Sequence, residues 1–291
     1  MKKLFFILSI IIISASFFSC TGKQNKKERV ITVTIEPLRY FTEQIAGDKF
    51  KIISMVPKGS SPETYDPTPQ QLTSLAKSEA YFRIGYIGFE LMWMDKLTGN
   101  APQMQVFDTS KGINLIEDKQ NHEASENEDH HHGGIEPHVW NSPANVLILA
   151  NNIYKALCKL DKKNSDYYAK RLQNLNQEIR STDEEIKELL KNSQKAFIIY
   201  HPALSYFARD YGLKQLSIEE KGKEPTPAHL KNIIQECEKE KIQTIFVQKE
   251  FDGRNAELIA TETRTKLVHI NPLSYNWKKE MINIAKALKN E

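Results

Sequence analysis

At 291 residues, of which 40% are hydrophobic, the chain can bury a substantial core, and its length admits two domains or one large one. Its 40 basic and 37 acidic residues leave a formal net charge of +3 spread along the sequence, which excludes the concentrated basic face that a nucleic-acid partner requires.

Lys2 and Lys3 precede the apolar run LFFILSIIIISASFF, which ends at Ser19 and Cys20. A positive start, a short apolar stretch and a small residue before the cut are the parts of a secretion signal, expected over residues 1–20. An uncleaved anchor helix is the alternative, although the run is at the short end for crossing a bilayer. A Cys directly after the apolar stretch resembles the bacterial lipoprotein signal, which implies lipid on Cys20, membrane attachment through it and an envelope or periplasmic location. The polar residues 21–29 would then be a flexible tether.

From Val30 onward, strand-like and helix-like stretches alternate. VITVTI reads as a strand and EPLRYFTEQIAG as a helix closed by Gly47. KIISMV, the loop PKGSSPETYDPTP, the helix QQLTSLAKSE, the strand AYFRIG, the helix FELMWMDKLTG and a strand around Val106 and Phe107 follow. Residues 118–134 form a charged, His-bearing insert expected to be a mobile loop. After EPHVWNSP, ANVLILANNIYKALCKL has helical spacing with Pro143 suited to its first turn.

Residues 164–192 lack Gly and Pro, and their apolar residues recur every three or four positions. This reads as one helix of roughly 40 Å at 1.5 Å per residue. Alternation resumes behind it with KAFIIY, ALSYFARDYG, LKQLSI, TPAHLKNIIQECEKE, TIFVQ, NAELIATETR, KLVHI and a final helix. The expected fold is therefore α/β, with two Rossmann-like lobes over residues 30–163 and 193–291. Each is a mainly parallel sheet with flanking helices, and the long helix joins them. Cys158 and Cys237 read as buried free thiols, with a single disulfide as the alternative. Gly-rich phosphate loops, HExxH, GxSxG and paired CxxC are missing, which weighs against an enzyme.

Three loops each follow a strand and present a metal-ligating residue where an open α/β sheet builds its binding crevice. Glu63 lies in a loop stiffened by Pro62, Pro67 and Pro69. A solvated surface charge is its bland reading. His138 lies between Pro137 and the Val139–Trp140 pair, so a satisfied core histidine is the alternative to a ligand. His201 directly follows a buried-type strand, with Pro202 able to open the next helix, and a helix-capping role is the alternative there.

Together VPKGSSPETYDPTP, EPHVWNSP and HPALSYFARDYGL resemble the zinc and manganese solute-binding proteins of metal ABC transporters, the TroA-like periplasmic receptors, over nearly the whole mature chain. The resemblance implies two α/β lobes, a metal held between them, delivery to the permease of an importer, and His138 and His201 as ligands. The family's first ligand is usually His, and Glu63 stands in that place; Glu remains a competent Zn²⁺ ligand. The family's late Asp ligand corresponds to Asn271, with His269, two residues earlier, as a substitute. His122, His130, His131 and His132, with Glu123, Glu126, Glu128 and Asp129, resemble the metal-collecting loop of zinc members, while a solvated acidic loop is the bland reading. The expectation is an extracytoplasmic zinc receptor, with Mn²⁺ as the alternative ion, acting as a monomer without nucleic acid. A zinc-dependent hydrolase and a surface adhesin on the same scaffold are the rivals.

Overall fold

The computed structural model describes residues 28–117, 134–220 and 222–289. The signal peptide, Cys20, tether residues 21–27 and the histidines His122, His130, His131 and His132 lie outside the described residues. Arg29, expected as the tether's last residue, is held on the fold. Its guanidinium bonds Glu79 at 2.7 Å, lies 3.1 Å from Asp161 and stands over the Phe50 ring.

Each half of the chain builds one four-stranded parallel sheet with the same winding. The first runs in the order β2-β1-β3-β4, from β1 (Val30–Val33), β2 (Lys51–Ser54), β3 (Ala80–Arg83) and β4 (Gln105–Asp108). The second runs β6-β5-β7-β8, from β5 (Ala196–Ile199), β6 (Lys214–Ser217), β7 (Thr244–Gln248) and β8 (Lys266–Ile270). The inner strands VITV, AFII and TIFVQ are buried at every position, as expected of parallel strands covered on both faces.

Local signals set the helices. Gly47 adopts a positive φ of 58° and ends α1 (Glu36–Ala46). Thr68 and Gln71 form a reciprocal capping box at the start of α2 (Pro69–Leu75), and α3 (Gly88–Asn100) follows β3. Ser142 caps α4 (Pro143–Leu160), with Pro143 in its first turn. The long helix is α5 (Ser165–Leu190), 26 residues and about 39 Å. It buries Tyr168, Leu175, Ile179, Thr182, Ile186 and Leu190 as one stripe against α1, α4 and α9 (Trp277–Ala287). The second half also carries α6 (Ser205–Tyr211), α7 (Pro227–Lys239) and α8 (Arg254–Thr263). Pro202 does not open α6. The His201 carbonyl accepts the Ala203 N–H at 2.7 Å, so the chain turns first and the helix starts at Ser205.

The core is continuous between the halves. One apolar cluster runs from β1 and β3 through Trp140, α4 and α5 to Phe197, Ile199, Phe246 and Trp277 of the second half. The alternating residues Ala196, Ile198 and Tyr200 face a smaller cluster with Ile245, Val247 and Cys237 on the other side of the second sheet. Cys158 and Cys237 are both free thiols, and Cys158 is half-buried rather than buried.

Candidate metal centre

Parallel register assembles the second-half wall of the site. Ile199 pairs with Ser217 on one side and with Phe246 on the other, so continuing both ladders two residues brings Glu219 and Gln248 alongside His201. Gln248 accepts the His201 N–H at 3.3 Å and donates to the His201 carbonyl at 2.6 Å. Glu219 Oε1 lies 2.8 Å from His201 Nδ1, and the Phe251 ring stacks on the imidazole at 5.0 Å and 16°. The backbone, the tautomer and the plane of His201 are thus each fixed by a different neighbour.

His138 precedes a short 3-10 turn (Val139–Asn141) in the first half of the sequence, yet the second half holds it. Trp140 donates from Nε1 to the Pro272 carbonyl at 2.9 Å, Asn141 donates to the Ala203 carbonyl at 2.8 Å, and Tyr206 donates to the Glu136 carbonyl at 2.8 Å. Glu136 bonds the backbone N–H of His138 at 3.0 Å and also its Nδ1. His138 is 6% exposed. Burial opposes its charge, but the carboxylates of Glu136, Glu63 and Glu219 outweigh it and hold the imidazole pKa above the ordinary histidine value. Burial likewise works to raise the Glu136 carboxyl, and His138 outweighs it to hold that group below the ordinary glutamate value.

With both Nδ1 atoms on carboxylates, both Nε2 atoms face each other at 3.3 Å. Two nitrogens at ~2.0–2.1 Å from a tetrahedral Zn²⁺ are themselves about 3.3 Å apart, so the pair already has the spacing of one edge of such a site. A carboxylate behind each imidazole is the arrangement that orients metal-binding histidines.

Glu63 comes from the first half. Its loop is held by the Phe89 N–H on the Pro62 carbonyl at 2.9 Å, by Gln71 on the Met55 carbonyl at 2.7 Å and by Trp93 on Asp66 at 3.2 Å. Glu63 Oε2 accepts the Gly88 N–H at 3.1 Å, placing the carboxylate on the N-terminus of α3, where the helix dipole favours an anion. A Cβ on Gly88 would stand 2.7 Å from that oxygen and 2.8 Å from the Glu63 carbonyl, so only glycine fits. The turn before α3 is pinned by buried Glu90, which accepts the N–H groups of Ile84 and Gly85 and the Thr34 hydroxyl, and whose carboxyl burial pushes up to about 7.

The other oxygen, Glu63 Oε1, is buried without a hydrogen-bond partner. Glu63, His138 and His201 line one pocket of about 30 Å³, with Ser61, Pro62, Ala203, Gln248, Glu250, Phe251, Pro272 and Leu273 around them and no Lys or Arg. That is room enough for a single water or ion. Among the described residues no three His, Cys, Asp or Glu side chains stand as a finished ligand cluster, so Glu63 borders the imidazole pair without closing on it.

The two expected fourth positions are elsewhere. Asn271 lines a separate cavity of about 190 Å³, and its Oδ1 accepts the Leu273 N–H at 3.1 Å. His269 is exposed on β8. Sequence reasoning missed the roles of Glu136, Glu219 and Gln248. A carboxylate two residues before His138 was a visible signal for Glu136, whereas Glu219 and Gln248 become neighbours of His201 only through strand register.

The family profile described as zinc-uptake complex component A, periplasmic (ZnuA), matches residues 31–290. A crystal structure of ZnuA superposes with a TM-score of 0.82 at 34% sequence identity, covering 89% of this chain and 97% of that one. The metal ABC transporter substrate-binding lipoprotein FimA of Streptococcus parasanguinis is 28% identical over 285 residues, covering 90% of this chain and 87% of FimA. The manganese ABC transporter substrate-binding lipoprotein PsaA of Streptococcus anginosus is 27% identical over 284 residues, covering 90% of this chain and 87% of PsaA.

Proposed function

The chain belongs to the family of periplasmic zinc-uptake components, and from that premise we propose that it is an extracytoplasmic receptor that binds Zn²⁺ as cargo and hands it to the permease of an ABC importer. His138 and His201 are the primary donors and Glu63 the third, and lipid on Cys20 holds the receptor at the membrane. The observation that carries the reading is the pair of Nε2 atoms 3.3 Å apart with both Nδ1 atoms tied to carboxylates. The partnerless Glu63 Oε1 on the same pocket supports it.

Zinc is favoured by the imidazole pair and by the description of the matching family. Manganese is the second reading, supported by the printed name of the streptococcal PsaA relative. A hydrolase needs an open coordination position and a placed acid or base for turnover, and the sequence places no such group by a motif. The test is to incubate the full chain, purified in detergent, with equimolar Zn²⁺ and Mn²⁺ and to count bound metal by mass spectrometry. One zinc per chain, lost in His138→Ala and in His201→Ala, is expected. Manganese retention would replace the ion, and binding unaffected by both substitutions would overturn the site.

A further inference from the structure

We propose that Glu250 is the fourth cargo donor, closing the site from the turn that follows β7, a place neither Asn271 nor His269 takes. This rests on the receptor reading above and deepens it. Glu250 lines the same pocket as Glu63, His138 and His201. The turn carrying it is fixed on His201 from both sides. Gln248 clamps the His201 backbone, Phe251 stacks on its ring, and the Phe251 N–H bonds the Gln248 carbonyl at 3.2 Å, leaving Lys249 and Glu250 at the tip. Beyond the end of β7 the turn residue Glu250 lines the pocket together with Pro272, which lies just past the end of β8.

Position, charge and free bonding capacity then agree. Among the described residues Glu250 has no hydrogen bond or ion pair, so binding an ion breaks nothing. Asn271, by contrast, has its carbonyl oxygen engaged within its own turn. Two neutral imidazoles with the carboxylates of Glu63 and Glu250 balance a divalent charge and complete four-fold coordination, the closed arrangement of a site that holds its ion. Since no Lys or Arg lines the pocket, no cation of the lining competes for either carboxylate. Glu63 sits on the first half of the fold and Glu250 on the second, so the ion would bridge the two walls.

The experiment loads the full chain in detergent with Zn²⁺ for affinity, by chelator competition, and with Co²⁺ for its visible ligand-field spectrum, in the unaltered protein and in Glu250→Gln, Asn271→Ala and His138→Ala. Glu250→Gln keeps shape and removes charge, and thermal unfolding of the metal-free form verifies its fold. A zinc affinity loss beyond the ~10–100-fold of an outer-shell partner, together with a changed cobalt spectrum, is expected, with Asn271→Ala unchanged. An unaltered cobalt spectrum in Glu250→Gln overturns the proposal, whether affinity stays level or falls by remote electrostatics alone. If His138→Ala also binds normally, the receptor site itself has failed, a distinguishable result.

Discussion

As a proposed metal donor, His138 would have to lose a proton before binding, and Glu136 is the carboxylate bonded to its ring. The raised imidazole pKa gives the metal-free fold a stabilising His138–Glu136 charge pair that is fully present below the ordinary histidine value of about 6.5 and is lost as pH rises through the raised value. Metal binding has the opposite sign, because protons compete for Nε2 as pH falls through the same value. Zinc affinity should therefore weaken with acidification through that range, and binding near neutrality should release protons, measurable by calorimetry in buffers of different ionisation enthalpy. Glu136→Gln should reduce both the proton release and the affinity, the latter by about 10- to 100-fold. Proton release equal to that of the unaltered protein would show that the Glu136 carboxylate does not set the His138 proton.

Among the elements, the junction of the Glu63 loop with α3 is the most sensitive to substitution. Gly88→Ala forces a Cβ against both the carboxylate and the carbonyl of Glu63, so the loop must shift. The expected outcome is a stability loss of about 1–3 kcal/mol in denaturant unfolding and at least tenfold weaker zinc binding; unchanged affinity would mean that Glu63 is not a donor. The strands, the end of α1 at Gly47, the start of α4 at Pro143 and the long α5 were legible because they depend on local periodicity and on single Gly and Pro signals. His138 and His201 were legible from motif context. Glu219 and Gln248 were not, because their approach to His201 follows from the pairing of β5 with β6 and β7, which no local pattern encodes. Asn271 was assigned by position in a resemblance, and the Leu273 N–H holds its oxygen in a turn.

At the scale of the molecule, the two sheets share a core, and buried indoles cross between the halves: Trp140 donates to Pro272, and Trp277 donates to the Trp140 carbonyl at 2.8 Å. Thermal unfolding should therefore show one cooperative transition by both fluorescence and circular dichroism, moving upward with zinc in proportion to the logarithm of its concentration; two separated transitions would show independent lobes. Glu63 comes from the loop after β2 and His201 from the end of β5, so in the proposed site a bound ion would add a link between the halves. The most direct test of that arrangement is anomalous diffraction at the zinc edge from crystals of the zinc-loaded protein. One peak is expected within about 2.0–2.2 Å of His138 Nε2, His201 Nε2 and a Glu63 oxygen. A peak away from both histidines would contradict it.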